Sequence, residues 1–259
     1  MRVALGVEYD GSGFCGWQRQ PAARSVQRCL EQALSRVADH PVGLVCAGRT
    51  DAGVHATGQV VHFDTQAHRA SHNWVLGANS KLPPDIRIRW AQAVPEDFHA
   101  RFSARARRYT YVFLCAPVPS ALYRQRVAWS RVALDSDLMH RAGRSLIGEH
   151  DFSSFRAAGC QARHPRRRIH AVEVGGRDNL VVIEVTANAF LHHMVRNIAG
   201  MLRVVGLGDQ PPEWAARILA VRDRTLAPPT APPQGLYLTQ VSYPTAFDLP
   251  TPPWVPPLL

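Results

Sequence analysis

Cys46-Ala47-Gly48-Arg49-Thr50-Asp51-Ala52-Gly53-Val54-His55-Ala56 is where the apolar patterning of this chain breaks. An apolar run at residues 42–46 reads as a strand, and residues 59–64, containing Val60-Val61-His62-Phe63, read as another. Between them an arginine and an aspartate, two residues apart, sit on a glycine-flanked connection. Backbone there can approach a ligand closely, because glycine carries no Cβ. The same residues also suit a plain turn, with Asp51 in an Asx-turn and Arg49 as its ion-pair partner. The local pattern leaves both readings open.

The flanking sequence predicts the architecture. Val3, Leu5 and Val7 alternate as a strand that Asp10-Gly11-Ser12-Gly13 ends. Ser25 is a candidate N-cap for a helix with Val26, Cys29, Leu30, Ala33, Leu34 and Val37 on one face. A second helix is expected at 71–79 and an extended segment at 86–94. The first half therefore reads β-α-β-β-α-β. The second half repeats that order: a strand at 107–114 with Tyr109, Tyr111 and Phe113 on one side, then a helix at 135–148. Strands at 169–174 and 180–185 follow, joined by a turn at Gly175-Gly176-Arg177-Asp178. Helices at 191–205 and 212–221 and a closing strand at 236–241 complete it. The expected fold is α+β: two ferredoxin-like halves, 1–104 and 105–259, whose mainly antiparallel sheets join and leave a central cleft. The proline-rich tail at 244–259 excludes a helix and reads as an extended arm or a frayed end.

Composition narrows the partners. The 259 residues carry a net charge of +10, a pI of about 10.1 and 46% hydrophobic residues. That amount of apolar sequence supports real cores. There is no membrane-length apolar run and no signal peptide pattern. Five cysteines without a Cys-x-x-Cys argue against a disulfide framework or a zinc knuckle, and point to a reducing cytoplasm. Lys81 is the only lysine, so arginine carries nearly all the positive charge. Arg101, Arg105, Arg107 and Arg108 form one cluster; Arg163, Arg166, Arg167 and Arg168 form another. The guanidinium fork matches phosphate geometry, so the clusters favour a nucleic-acid partner over a merely solvated face.

Other chemistries fare poorly. Gly11-Ser12-Gly13-Phe14-Cys15-Gly16 satisfies a dinucleotide fingerprint. Its helix would have to open inside the glycine loop, whereas Trp17-Gln18-Arg19-Gln20-Pro21 intervenes. Phe14 and Trp17 suit either base stacking or core packing. The twelve histidines are scattered, and His192 and His193, if on a helix, would point about 100° apart. No zinc-deaminase, serine-elbow or reactive-cysteine pattern occurs. Arg49, Asp51, Tyr109 and Arg196 remain. A neutral-pH aspartate nucleophile or base must stay ionised, which a nearby arginine favours. Tyr109 offers a flat ring for a pyrimidine.

The residues from Ala47 to Ala56 resemble the signature of the pseudouridine synthase A family. So do Glu8-Tyr9-Asp10-Gly11, Gly16-Trp17-Gln18-Arg19-Gln20, Phe98-His99-Ala100-Arg101-Phe102-Ser103-Ala104 and Arg107-Arg108-Tyr109. Asp151-Phe152-Ser153-Ser154-Phe155, Ala187-Asn188-Ala189-Phe190, His192-His193-Met194-Val195-Arg196-Asn197 and Gly235-Leu236-Tyr237-Leu238 extend the likeness across nearly the whole chain. The resemblance implies isomerisation of uridine to pseudouridine in the anticodon arm of transfer RNA, without cofactor or metal. It implies that Asp51 is the catalytic aspartate, acting on the sugar or the base, and that Arg49 helps evict the base. Tyr109 would stack on the uracil and Arg196 pair with the aspartate. Leu236 and Leu238 would wall off water. Phe98, His99, Ala100, Arg101 and Phe102, with Gly159, Cys160, Gln161, Ala162 and Arg163, would contact RNA. A cytoplasmic homodimer bridged by the transfer RNA is implied, with no membrane and no nucleotide cofactor. The alternative class is a non-catalytic RNA-binding module, whose aromatic signature is absent and which gives no reason for an Arg-x-Asp loop.

Overall fold

The computed structural model describes residues 1–250. The chain divides into two compact units, one built from Met1–Ala106 with the returning residues 237–250, the other from Arg107–Leu236. Among the described residues, no helix is long and apolar enough to cross a membrane.

In the first unit, strand β1 (Arg2–Tyr9) lies between two antiparallel neighbours, β3 (His55–Asp64) and β4 (Ile86–Val94). A two-residue strand β2 (Val45–Cys46) pairs antiparallel with β3. The order β4-β1-β3-β2 is that of the anticipated β-α-β-β-α-β unit. Helices α1 (Val26–Ala38) and α2 (Ser71–Asn79) supply its helical layer. Leu5, Leu30, Leu34, Phe63 and Trp74 lie at its centre, each essentially removed from solvent. Ser25 stands at the N-cap of α1 with extended backbone, but its Oγ is buried and has no hydrogen-bond partner among the described residues.

The strand expected at 42–46 is shorter than the apolar run suggests. Ser35 Oγ accepts the Val42 N–H at 2.9 Å, and Glu31 accepts the Leu44 N–H at 3.2 Å. Side chains of α1 thus satisfy a backbone that would otherwise have joined the sheet.

In the second unit, β5 (Ala106–Cys115), a short parallel strand β6 (Ala128–Ser130), β7 (Gly148–Asp151), β8 (Arg166–Arg177) and β9 (Leu180–Ala187) form the sheet. Its antiparallel order is β5-β9-β8-β7. Helices α3 (Ser136–Arg144), α4 (Met194–Gly206) and α5 (Trp214–Val221) accompany it. The helix expected at 135–148 stops early: the N–H groups of Ser145, Leu146 and Ile147 donate to carbonyls three residues back, which tightens the end of α3, and Gly148 at φ +113° begins β7. Asp135 caps α3 by accepting the N–H groups of Asp137 and Leu138. The hairpin turn also moves: Arg177 pairs with Leu180, so the bend is Asp178-Asn179, with Asp178 at φ +55°. Gly175 and Gly176 are paired strand residues instead. Short polar side chains tolerate that left-handed conformation.

The closing strand β10 (Leu236–Ser242) forms at the residues its sequence pattern implies. From Tyr237 on, the chain belongs to the first unit, where Tyr237 and Leu238 pair in parallel with His55 and Ala56 of β3. The tail is docked as far as it is described. Thr245–Phe247 forms a 3-10 turn, and Phe247 meets Phe98 at 5.1 Å between ring centroids. The remainder of the proline-rich tail, 251–259, lies outside the described residues.

Candidate active site

The Arg-Thr-Asp segment is a loop between β2 and β3, held from beneath by alternating contacts. Ala47 N–H donates to the Val60 carbonyl at 2.8 Å. Gln59, fully buried on β3, addresses both polar groups of Gly48: its amide N–H₂ donates to the carbonyl at 2.6 Å, and its Oε1 accepts the N–H at 3.4 Å. Thr50 is buried, with Oγ1 2.8 Å from the Tyr9 hydroxyl and its carbonyl accepting the Trp17 N–H at 3.0 Å. A backbone bond from Val54 N–H to the Asp51 carbonyl closes the turn at 3.2 Å, and Gly53 takes φ +78°. The result is that Arg49 is exposed and Asp51 half-buried, while Gly48 and Thr50 are anchored. Leaving the Gln59 amide buried without those bonds would cost about 1–3 kcal/mol, so the arrangement is strongly specified.

The glycine stretch excluded above as a dinucleotide loop has its own partner in this unit. A Cβ on Gly11 would lie 2.0 Å from the Val54 carbonyl oxygen, so only glycine permits the approach. Gly11 N–H also donates to Nδ1 of His55 at 3.1 Å. Gly16, at φ +88°, lies against the backbone of Thr50, Asp51 and Ala52. These residues form a cradle for the Arg-Thr-Asp loop. Sequence reading missed it, along with Tyr9, His55 and Gln59; the signal available was the occurrence of three glycines within six residues. Phe14 and Trp17 are buried, so core packing is the reading that holds for them. His55 is buried and stacks on Tyr237, with ring centroids 4.7 Å apart. Leu238, fully buried, pairs with Ala56 just beyond.

Tyr109 and Arg196 both lie in the second unit. Tyr109 sits on β5 opposite Val185, 8% exposed, with its ring edge-on to Phe190 at 5.0 Å. Arg196 occupies the first turn of α4, half-buried, and its Nε donates to the Ala231 carbonyl at 2.8 Å. Leu236 is buried at the end of the unit. His192 and His193 precede α4 rather than lying on it. His193 takes φ +60° at the N-cap, and the two rings are only 4.0 Å apart, so the argument from helical divergence does not apply to them.

The two segments implied in RNA contact differ in make-up. In the first, Phe98 and Ala100 are fully buried; Arg101 and Phe102 are the exposed members. The loop is tied down: Ala100 N–H donates to Nδ1 of His62 at 3.1 Å, and its carbonyl accepts from Tyr243 at 2.6 Å. His99 is partly exposed and stacks under Phe102 at 4.4 Å. In the second, Gly159, Gln161 and Arg163 are exposed, whereas Cys160 and Ala162 are half-buried. Arg156 holds this bend by donating to the carbonyls of Cys160 and Ala162 at 2.7 and 2.9 Å. Burial alone would raise the Cys160 thiol pKa. The N–H groups of Ala162 and His192 and the Arg156 guanidinium outweigh it and hold the thiol below its usual value. Within the arginine clusters Arg107 is not a surface cation: it is buried and donates to the Asn188 carbonyl at 2.8 Å. Arg167 is half-buried, with its pKa lowered by desolvation.

A family profile described as tRNA pseudouridine synthase matches residues 6–103 and 142–244. The tRNA pseudouridine synthase A of Aeromonas hydrophila is 56% identical over 260 residues, covering 99% of this chain and 97% of its own. That of Pasteurella multocida is 55% identical over 250 residues, covering 96% and 95%. That of Xanthomonas oryzae pv. oryzae is 56% identical over 252 residues, covering 96% and 98%. Among solved structures, a chain of a Cbf5-Nop10-Gar1 complex aligns with a TM-score of 0.40 and 12% identity, covering 91% of this chain and 48% of that one.

Proposed function

The chain belongs to the tRNA pseudouridine synthase family, and from that premise we propose how its residues divide the reaction. It is an isomerase that converts uridine in transfer RNA to pseudouridine. The bond from C1′ to N1 of uracil breaks, the base turns, and a bond from C1′ to C5 forms. The C5 proton leaves and N1 ends protonated.

Asp51 is the catalytic carboxylate in this reading. What supports it is the loop itself: buried bonds fix the residues on either side of Arg49, while Arg49 and Asp51 are not buried. A carboxylate that must meet one sugar–base bond benefits from such a frame, because misplacement by about 1 Å can cost a factor of about 10². Arg49 helps extract the nucleotide and occupies the space it leaves. Unstacking costs a few kcal/mol, part of which a guanidinium in that space returns. Tyr109 takes the base contact, Arg196 the balancing charge, and Leu236 and Leu238 the exclusion of water. Residues 98–102 and 159–163 contact the RNA through Arg101, Phe102, Gln161 and Arg163, the exposed polar and aromatic members. The target is the anticodon arm, and the working form is a cytoplasmic homodimer.

Release of tritium from C5-labelled uridine in transfer RNA tests the assignment of Asp51. Asp51→Ala is expected to abolish release while leaving RNA affinity nearly unchanged; retained turnover overturns it. Arg49→Ala is expected to lower turnover far more than affinity. Equal losses would reduce Arg49 to a phosphate contact.

A further inference from the structure

We infer that Gln59, with Tyr9 and Thr50, is a positioning device for the catalytic loop, so that its hydrogen bonds set turnover rather than RNA binding. The inference rests on the reading of Asp51 and Arg49 as the reacting pair.

The device begins with an irregularity in the sheet. β1 and β3 pair Val7 with Gln59 and then Tyr9 with Ala56, so β3 carries one residue more than β1 across that interval. Such a bulge bends its strand and re-aims side chains. Here the Gln59 amide and the Tyr9 hydroxyl, from neighbouring strands, approach to 3.4 Å. Both are buried, Gln59 completely. The chemistry of the amide then matches its target. Gly48 presents one N–H and one carbonyl, and Gln59 presents one acceptor and one donor group to them. Only one orientation of the amide satisfies both. Tyr9 reaches past it to Thr50 Oγ1 at 2.8 Å. Gln59 thus ties the backbone before Arg49 to β3, and Tyr9 ties the side chain of Thr50 after it to β1. None of the three side chains is exposed, so none can hold RNA directly.

This predicts a particular kinetic signature. Gln59→Leu keeps volume and removes the two bonds to Gly48 together with the one to Tyr9, and turnover under saturating transfer RNA is expected to fall by about 10²-fold, the cost of a loop misplaced by about 1 Å. KM and RNA affinity should change less than about threefold, since uniform binding is not touched. Tyr9→Phe and Thr50→Val each remove one end of the Tyr9–Thr50 bond, and Tyr9→Phe also removes an acceptor of the Gln59 amide. Their combined effect on turnover should be smaller than the product of the single effects.

Gln59→Glu separates positioning from simple core packing. An ionised carboxylate still accepts from Gly48 N–H but faces the Gly48 carbonyl with no donor. The protonated acid donates to that carbonyl and reproduces the amide. Burial raises a carboxyl pKa, so the switch falls within an accessible range. The ratio of Gln59→Glu to wild-type turnover is therefore expected to rise as pH is lowered from about 9 to about 6, while the Gln59→Leu ratio stays flat. A Gln59→Glu ratio independent of pH, or Gln59→Leu turnover within about twofold of wild type, overturns the inference. Asp51→Ala in the same assay keeps the two readings apart. If it is inactive while Gln59→Leu is unimpaired, only the positioning role falls. If Asp51→Ala turns over, the underlying assignment falls with it.

Discussion

Replacing Gly11 by alanine tests whether the glycine stretch is a cradle for the catalytic loop. A Cβ at that position would stand 2.0 Å from the Val54 carbonyl oxygen and 2.5 Å from its carbon, where real contacts begin near 3.0 Å. Backbone, not the end of a flexible side chain, is in the way. The two segments must part by about 1 Å, and the segment displaced contains the Val54 N–H that closes the turn on Asp51. Overpacking of this kind costs about 1–3 kcal/mol. For a chain of this size each kcal/mol lowers Tm by about 2–4 °C. Turnover should fall by about 10²-fold, because the shift is comparable to the misplacement that costs that much in well-positioned sites. Gly13→Ala is the internal control. Its Cβ would meet side-chain ends and no backbone, Arg24 Nη1 at 2.9 Å and Asp85 Oδ2 at 3.7 Å, an exposed ion pair that can shift together by a few tenths of an ångström. Thermal unfolding and tritium release on both variants decide the matter. Gly11→Ala with the stability and turnover of Gly13→Ala would refute the reasoning.

Two further outcomes are expected. Burial first, then the charges of Arg2 and His99, lower the His62 pKa from 6.5 to about 4, with Asp64 opposing them. The unfolded chain therefore binds a proton that the folded chain refuses between those values. Stability is lost as pH falls through that window, by up to about 3 kcal/mol, and this group adds nothing further below it. His62→Asn keeps an acceptor for the Ala100 N–H and should flatten that part of the denaturation profile; parallel profiles for variant and wild type would contradict the account. Cys160, with its lowered thiol pKa, should react with iodoacetamide before Cys29 and Cys115, whose pKa values burial raises. Bound transfer RNA should slow the Cys160 reaction. Labelling that is indifferent to RNA would remove residues 159–163 from the contact surface.

Elements were legible where a segment's own pattern decided its state. The helix at 71–79 and the strand at 86–94 have the bounds that spacing and breakers imply. Legibility failed where a distant partner decided. The run at 42–46 looks like a strand, but Ser35 and Glu31 of α1 take its N–H groups. The closing strand forms where its own pattern puts it, but its parallel pairing with β3 is not written there. The site divides along the same line. Arg49 and Asp51 stand out in the sequence because charge between glycines is conspicuous, and they are on the loop for the same reason: a charged pair is cheaper to leave near solvent than to bury. The residues that hold the loop are inconspicuous. Tyr9 and Gln59 read as ordinary strand positions, and Thr50 as a turn residue. They meet only because a bulge changes the register between β1 and β3, and the bonds they form span 50 and 41 positions of chain. The register shift leaves no local mark, because the Val3, Leu5, Val7 alternation of β1 ends before it and β3 is buried at Gln59 as it is at Ala56 and Thr57. Chemistry on an exposed loop is therefore the readable half of such a site. The shell beneath it has to be found by asking which buried polar groups are satisfied by the loop's backbone.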